Sequence, residues 1–458
     1  MNFLKKKEHL QRGLSNRQIQ LMAIGGAIGT GLFLGSGKSI HLAGPSILLV
    51  YLIIGAALFF VMRALGELLM YRPTTGSFAA FAEEFIGPWA GFITGWTYWF
   101  CWIATAIAEI TAVGIYLQFW FPHLPQWIPA LICVVVLLLI NLATVKAFGE
   151  IEFWFALIKV IAILALIVVG LVLIFTGFTN AETHATFANL WQHGGVFPNG
   201  FHGFILSFQM AVFAFVGIEL VGITAGEAED PEKTLPKAIN TIPLRILFFY
   251  VGALLIIMSI YPWDNVSAAS SPFVRVFAMI GIPEAAGVVN FVVLTSAASS
   301  CNSGIFSTSR MVYALSVRKA APARLRRVNA RNVPAPALLA SAVMLLIGVL
   351  LNYLIPDAAQ VFTLVTSIAT ICFIWVWSMI VIAHLRYRRL KPESAAANRF
   401  RMPGAPVVNW LLLAFFVFVL VLLGFAADTR TALLVTPVWF LLLVVAYGLV
   451  RRHRMRKD

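Results

Sequence analysis

The chain has 458 residues, 60% hydrophobic and only 11% charged, with 33 Lys and Arg against 19 Asp and Glu for a formal net charge of +14. Soluble domains carry roughly 25% charged residues, and the apolar residues here fall in runs of about 20, the length that crosses a ~30 Å hydrocarbon core. This excludes a soluble globular protein. Basic residues confined to short loops between apolar runs argue for topology and attraction to anionic lipid, not for nucleic-acid binding.

The first residues, MNFLKKKEHLQRGLSNRQ, are basic and lack a short apolar run ending at a cleavage site, so no removable signal peptide is expected. Hydropathy then predicts twelve spans, near 18–43, 46–70, 90–120, 126–144, 153–177, 202–226, 242–262, 284–314, 335–355, 360–385, 406–426 and 432–450. Trp120, Trp127, Trp263 and Tyr353 mark span ends, where amphipathic rings prefer to sit. The reading is an all-α integral membrane protein, one transport domain over 1–458. It comprises a cytoplasmic N-terminus (1–17), spans 1–5 (18–177), spans 6–10 (202–385), spans 11 and 12 (406–450) and a cytoplasmic tail (451–458). Lys and Arg set the orientation: they crowd the N-terminus, the loops after spans 8 and 10 and the tail RRHRMRKD, whereas Lys38, Arg275 and Arg430 fall in outer loops. Both termini are therefore expected in the cytoplasm. Cys101, Cys133, Cys301 and Cys372 all fall inside spans without paired spacing, so they read as small apolar residues and imply neither disulfide nor metal.

Two spans are interrupted. Ala23 to Gly37 reads AIGGAIGTGLFLGSG, and its glycines weaken a helix by about 1 kcal/mol each relative to alanine. A break near Ile28–Gly31 frees N–H groups, and irregular backbone at membrane depth is tolerated only where it lines a cavity or is buried in protein. Such N–H groups suit a carboxylate. Close helix packing through the pairs Gly25/Gly29 and Gly31/Gly35 is the alternative on this segment alone. The second interrupted span, Met210 to Gly226, reads MAVFAFVGIELVGITAG, with Gly217 and Glu219 in its middle. Carbonyls freed there accept hydrogen bonds from an ammonium group. Donors from one break and acceptors from the other suit the two ends of an amino acid zwitterion. Interrupted spans in corresponding places of two halves point to a transporter's binding site.

Ionisable residues inside spans are functional candidates. Glu219 is expected protonated, paired or water-facing, with a helix-to-helix hydrogen bond as the bland alternative. Glu109 lies mid-span in CWIATAIAEITAVGIY. Lys159 lies ~10 Å past Glu152 at 1.5 Å per residue, and either snorkels to the interface or faces the bundle, where it can take up and release a proton. Glu67, Glu83, Glu84, Glu150 and Glu152 lie near cytoplasmic span ends and are expected to be solvated or ion-paired. In the hydrophilic segment 225–239, Glu227, Glu229 and Asp230 either latch basic loops or belong to a capped turn. No HExxH, GxSxG, Walker A or GxGxxG context is present, so an enzyme is not expected.

These residues resemble the bacterial amino acid transporters of the amino acid–polyamine–organocation superfamily. The resemblance covers nearly the whole chain and rests on seven motifs in order. They are GGAIGTGLFLGSG in span 1, AGPS at 43–46, MRALGEL at 62–68, GPWAGFITGWTYWF at 87–100, FGEIEFWFALIKV at 148–160, FVGIELVGITAGEAEDPEK at 215–233 and NSGIFSTSRM at 302–311. Within the family, GGAIGTGLFLGSGKSI, FITGWTYWFCW, NFVVLTSAAS and TRTALLVTPVWF are most similar to members carrying glycine, D-alanine and D-serine. YRPTTGSFAAFAEEF and Glu109 are more similar to members for aromatic residues, proline or threonine.

The resemblance implies a LeuT-like five-plus-five inverted repeat with helices 1 and 6 broken, alternating access, and a bacterial inner-membrane location. Ala27, Thr30 and Gly31 would meet the substrate carboxylate, with Ile28 and Gly29 in the same substrate-binding segment. Phe213, Ala214 and Val216 would offer carbonyls to its amino group, with Glu219 beside them. Lys159 matches a lysine that stands near the place of a sodium ion in sodium-independent members, which implies proton symport, with Glu109 as a proton carrier or site-shaping group. The expected ligand is a small neutral amino acid. The expected surroundings are membrane lipid, without nucleic acid, obligatory protein partner, metal or cofactor beyond the coupling proton. An amino acid exchanger and a membrane amino acid sensor are the alternatives.

Overall fold

A computed structural model describes residues 16–74, 76–143, 145–180, 183–224, 230–268, 270–281, 283–355 and 357–455. Long apolar runs become helices because a hydrocarbon environment leaves backbone N–H and C=O groups no partner but each other. In chain order these are α1 (Asn16–Ala27), α2 (Thr30–Phe33), α3 (Gly35–Ala43), α4 (Ile47–Tyr71), α5 (Ser77–Phe85), α6 (Pro88–Leu117), α7 (Trp127–Asn141), α8 (Val145–Phe175), α9 (Asn189–Gln192) and α10 (Gly200–Leu206). They continue as α11 (Phe208–Ala214), α12 (Leu220–Thr224), α13 (Pro231–Ile260), α14 (Pro272–Met279), α15 (Pro283–Val317), α16 (Ala335–Leu354), α17 (Ala358–Leu390), α18 (Pro392–Ala397), α19 (Val407–Leu422) and α20 (Ala427–Met455). Among the described residues the only β pairing is an isolated bridge between Thr179 and His184.

Among the described residues, eight helical stretches are long and apolar enough to cross a membrane, and Trp127–Asn141, Gly200–Ala214 and Val407–Leu422 are apolar but shorter. α6, α15 and α17 pack closely at the centre, where Phe373 contacts the rings of Tyr98, Trp102 and Trp377. α8 and α20 lie outside and leave Ile161, Val168, Val172, Leu434, Leu441 and Val445 exposed. An apolar surface of that extent needs hydrocarbon around it. This is a multi-pass membrane protein.

The elements differ from the hydropathy reading at three places. α13 begins at Pro231 and runs through Pro236 and Pro243, eleven residues before the predicted span, because hydropathy detects only its apolar part. α5 was not expected: its nine residues are too short for a span, yet Phe78, Phe81 and Phe85 are buried. The first span is split twice, at Ile28–Gly29 and again at Leu34.

Five carboxylates expected near span ends diverge. Glu83 pairs with Arg318 at 2.6 Å, Glu84 with Arg72, and Glu150 with Arg17 at 3.6 Å. Glu67 is fully buried and forms a hub. Its Oε1 accepts from Arg388 Nε at 2.9 Å; its Oε2 accepts from Arg388 Nη2 at 2.8 Å and the Met402 N–H at 2.6 Å, and lies 2.9 Å from His384 Nε2. His384 Nδ1 lies 3.0 Å from Asn409 Nδ2, so a ring donating from Nε2 and accepting at Nδ1 fits both contacts. Glu152 is neither solvated nor ion-paired at a rim: it is fully buried, because α1 packs across that end of α8. Asp230 caps α13, accepting from the Lys233 N–H at 3.4 Å and pairing with Lys233 Nζ at 3.2 Å. It therefore follows the capped-turn reading, while Glu227 and Glu229 lie outside the described residues.

Removing one member of a buried ion pair leaves an uncompensated charge, at a cost of about 3–5 kcal/mol. Glu67→Ala is expected to lower the melting temperature of the detergent-solubilised protein by several degrees, more than Glu84→Ala at the half-exposed Arg72 pair. Intrinsic-fluorescence melting of both variants checks this.

Candidate functional site

The site is built from the two interruptions, which lie back to back. A Cβ placed on Gly31 would stand 2.5 Å from Ala214 Cα, so only glycine lets α2 approach the α11 backbone this closely. Gly217, at φ +104°, needs glycine twice over: the conformation disfavours a side chain, and a Cβ would meet the Gly26 carbonyl oxygen at 2.6 Å. Close packing and helix interruption, opposed as readings of the sequence, are one arrangement in the structure.

Most of the freed backbone groups have a specific partner, as a dry interior requires. Tyr250 Oη on α13 donates to the carbonyls of both Ala27 and Ala214, at 2.6 Å each, and so ties the two breaks together. Lys159 Nζ donates to the Gly25 carbonyl at 2.5 Å, Ser296 Oγ to that of Ile28 at 2.9 Å and Ser300 Oγ to that of Gly26 at 3.4 Å. The Thr30 N–H, first donor of α2, lies 3.4 Å from both oxygens of Glu109. Thr30 Oγ1 is buried without a partner. Lys159 is 0% exposed. It does not snorkel, and the carboxylates facing it are Glu109 and Glu152.

At the second break the Phe213 carbonyl accepts from the Val216 N–H at 3.0 Å, and the Gly217 N–H donates to Glu219 Oε2 at 3.2 Å. Glu219 is buried, with the indole groups of Trp102 and Trp377 facing its carboxyl and Tyr98 nearby. Phe213 meets Phe362 edge-on at 6.2 Å. Beyond this pair, toward the end opposite the termini, lies a cavity of about 30 Å³ touching Leu34, Gly35, Lys38, Met210, Phe362 and Thr363. Lys38 closes it over, paired with Asp428 of α20 and 3.5 Å from Thr363 Oγ1.

Of the residues singled out from sequence, Ala27, Ile28, Gly29, Thr30, Gly31, Phe213, Ala214 and Val216 converge here, with Glu109 and Lys159 at the first break. Glu219 stands apart from those two, on the far side of the second break, beside Trp102 and Trp377. The N–H at Thr30 faces the protein's own Glu109, and the carbonyls of Phe213 and Ala214 already accept one hydrogen bond each. Tyr250, Ser296, Ser299, Ser300 and Glu152 were missed. The serines had a signal: in TSAASSCNS they recur at helical spacing, a polar stripe along an otherwise apolar span. Tyr250 had none beyond being a tyrosine in mid-span. Among the described residues no group of His, Cys, Asp and Glu is arranged to hold a metal ion.

The profile of the amino acid permease family matches residues 18–458. An uncharacterised transporter of Bacillus subtilis, YdgF, is 62% identical over 441 residues, covering 96% of this chain and 96% of that protein. The amino-acid permease AapA of Bacillus subtilis is 62% identical over 448 residues, covering 98% and 96%. The D-serine/D-alanine/glycine transporter of Escherichia coli K12 is 54% identical over 449 residues, again covering 98% and 96%.

Gly31→Ala and Gly217→Ala are each expected to cut substrate uptake at least about tenfold, because a shift worth 1.4 kcal/mol suffices for that factor and strained backbone costs about 1–3 kcal/mol. Gly448→Ala, with nothing within 4 Å of the added methyl, is expected to leave uptake at the parent level. Parallel uptake assays normalised to membrane-inserted protein check all three.

Proposed function

The chain belongs to the amino acid permease family, and from that premise we propose that it imports small neutral amino acids, above all glycine, D-alanine and D-serine, by proton symport with alternating access. The observation that carries this reading is the meeting of two interrupted helices at Gly31 and Ala214, with a buried lysine of α8 and a buried glutamate of α6 reaching the backbone of the first of them. One break offers N–H and hydroxyl donors at Thr30; the other offers carbonyls at Phe213, Ala214 and Val216. An amino acid's two charged ends fit such a pair, and substrate entry would exchange the Thr30–Glu109 contact for a Thr30–carboxylate one.

The proposed architecture is a single transport domain over 1–458, twelve spans in a LeuT-like fold, with an inverted repeat relating 18–177 to 202–385 and with 406–450 appended. The termini are placed on the cytoplasmic side of a bacterial inner membrane, which the Lys and Arg at that end support: Arg318, Lys319, Arg324, Arg326 and Arg327 after α15, Arg386, Arg388, Arg389 and Lys391 at the end of α17. A small substrate is supported by walls of Ala27, Gly31 and Ala214 under the ring of Phe213, and by the name of the Escherichia coli relative. Proton coupling is supported by Lys159, whose ammonium group already bonds a carbonyl next to the first break, where a coupling cation would otherwise compete for the same oxygen.

Proteoliposomes under an imposed inward proton gradient are expected to accumulate radiolabelled glycine, with D-alanine competing and a protonophore abolishing uptake. Accumulation of proline, threonine or phenylalanine instead would keep the mechanism and replace the substrate. Uptake only into preloaded vesicles, indifferent to the gradient, would make the protein an exchanger. Lys159→Ala is expected to lose gradient-driven accumulation while keeping some exchange; full accumulation in that variant would overturn the coupling assignment.

A further inference from the structure

Glu152 sits on α8 two helical turns before Lys159, in a place where the sequence suggested solvent or an ion pair. Its side chain is instead fully enclosed. Ser299 Oγ donates to its Oε1 at 2.5 Å, and Asn302 Nδ2 donates to its Oε2 at 3.1 Å. Asn302 Oδ1 accepts in turn from Asn141 Nδ2 at 2.6 Å, so α15 and α7 both support the carboxylate. The lid over it is α1: a methyl on Gly25 would lie 3.2 Å from Glu152 Oε1 and 2.8 Å from Ala156 Cβ. Lys159 bonds the carbonyl of that same Gly25.

The groups facing Glu152 from each packed element are few. α1 presents Gly25; α15 presents Ser299, Asn302 and Ser303; α8 itself presents Lys159, the charged group that acts on it. Glu150, two residues earlier, belongs to a separate cluster with Arg17 and Gln18. On the other side of Lys159 stands Glu109, whose Oε1 and the Ser300 hydroxyl flank Gly29. Glu109 of α6 and Glu152 of α8 thus both face Lys159, where α1, α6, α8 and α15 come together.

We propose that Glu152 is the proton acceptor on the exit side of Lys159. The inference rests on the proton-symport reading above. In the step, the Lys159 ammonium leaves the Gly25 carbonyl and comes within hydrogen-bond reach of Glu152; one of its N–H bonds breaks and an O–H bond forms on Glu152, leaving a neutral amine and a carboxylic acid. No oxidant, reductant or other reactant is consumed. The cradle serves both forms, because the Ser299 hydroxyl donates to a carboxylate and accepts from an acid. When α1 swings away from α8, Gly25 stops covering the acid, water reaches it and the proton leaves. The same movement breaks the Lys159–Gly25 hydrogen bond, so release of the proton and opening of that side are one event.

The test is glycine transport by the full-length protein in proteoliposomes, comparing gradient-driven accumulation with counterflow exchange across a range of internal pH. Glu152→Gln is expected to lower accumulation by about tenfold or more, the factor that corresponds to one pKa unit, to flatten its dependence on internal pH, and to reduce counterflow far less. Glu152→Asp, which keeps the charge on a shorter stem, is expected to retain accumulation with a displaced internal-pH midpoint. Parent-level accumulation with an unaltered pH profile in Glu152→Gln overturns the assignment, as does equal loss of accumulation and counterflow in a folded, monodisperse Glu152→Gln. If Glu152→Gln does not fold, an undisplaced midpoint in Glu152→Asp overturns it instead. Failure of the parent protein itself to respond to the gradient sinks proton symport, and this inference with it.

Discussion

A backbone released from its helix inside a membrane protein has no water to turn to, and the rest of this structure follows from that single constraint. The breaks at Ile28–Gly29 and Phe215–Glu219 free carbonyls and N–H groups in the dry centre of the bundle. Around them the chain arranges a Tyr250 hydroxyl shared between two carbonyls, two serines from one face of α15, a lysine from α8, and a glutamate at each break. Tyr250, Ser296, Ser300, Lys159, Glu109 and Glu219, all costly to bury, each meet a carbonyl or an N–H that the interruptions expose. The glycines explain why the interruptions are possible, and the polar side chains explain why they persist.

Side-chain satisfaction has a property that helical hydrogen bonding lacks: it can be exchanged. A carbonyl held by its own helix is locked, whereas one held by Tyr250, Ser296 or Lys159 can be handed to a substrate or to water without unfolding a helix. Two contacts near the end that holds the termini are built differently. Glu67 gathers Arg388, His384 and the Met402 backbone into a buried hub that fixes α4 to α17, while α1 rests on α8 through Gly25 on Ala156, through the Lys159–Gly25 bond and through Arg17 and Gln18 at Glu150.

Much of this was legible in the sequence, for identifiable reasons. Glycines clustered in an apolar run, and a glycine followed by a glutamate in another, break a pattern that lipid exposure would keep uniform, so both interruptions could be placed to within a few residues. Lys159 and Glu109 stood out because ionisable residues are costly in mid-span. Glu152 did not, because distance along the chain from a loop says nothing about what another helix lays over it: α1 covers it, and no local pattern encodes that contact. The α15 serines and Tyr250 were ambiguous for a related reason. Hydroxyls are common enough in spans that only the partner, a carbonyl on a distant broken helix, shows their purpose. The amphipathic α5 escaped because a nine-residue helix is shorter than any window suited to spans.

The four cysteines, Cys101, Cys133, Cys301 and Cys372, are all buried and carry free thiols. To a charged, water-borne thiol reagent the natural protein is therefore close to a blank background. A single cysteine introduced at an exposed position, such as that of Asp428 beside Lys38, would carry a spectroscopic label without prior removal of the native thiols. The chain's habit of using cysteine as a small apolar residue leaves it ready for direct observation of its moving parts.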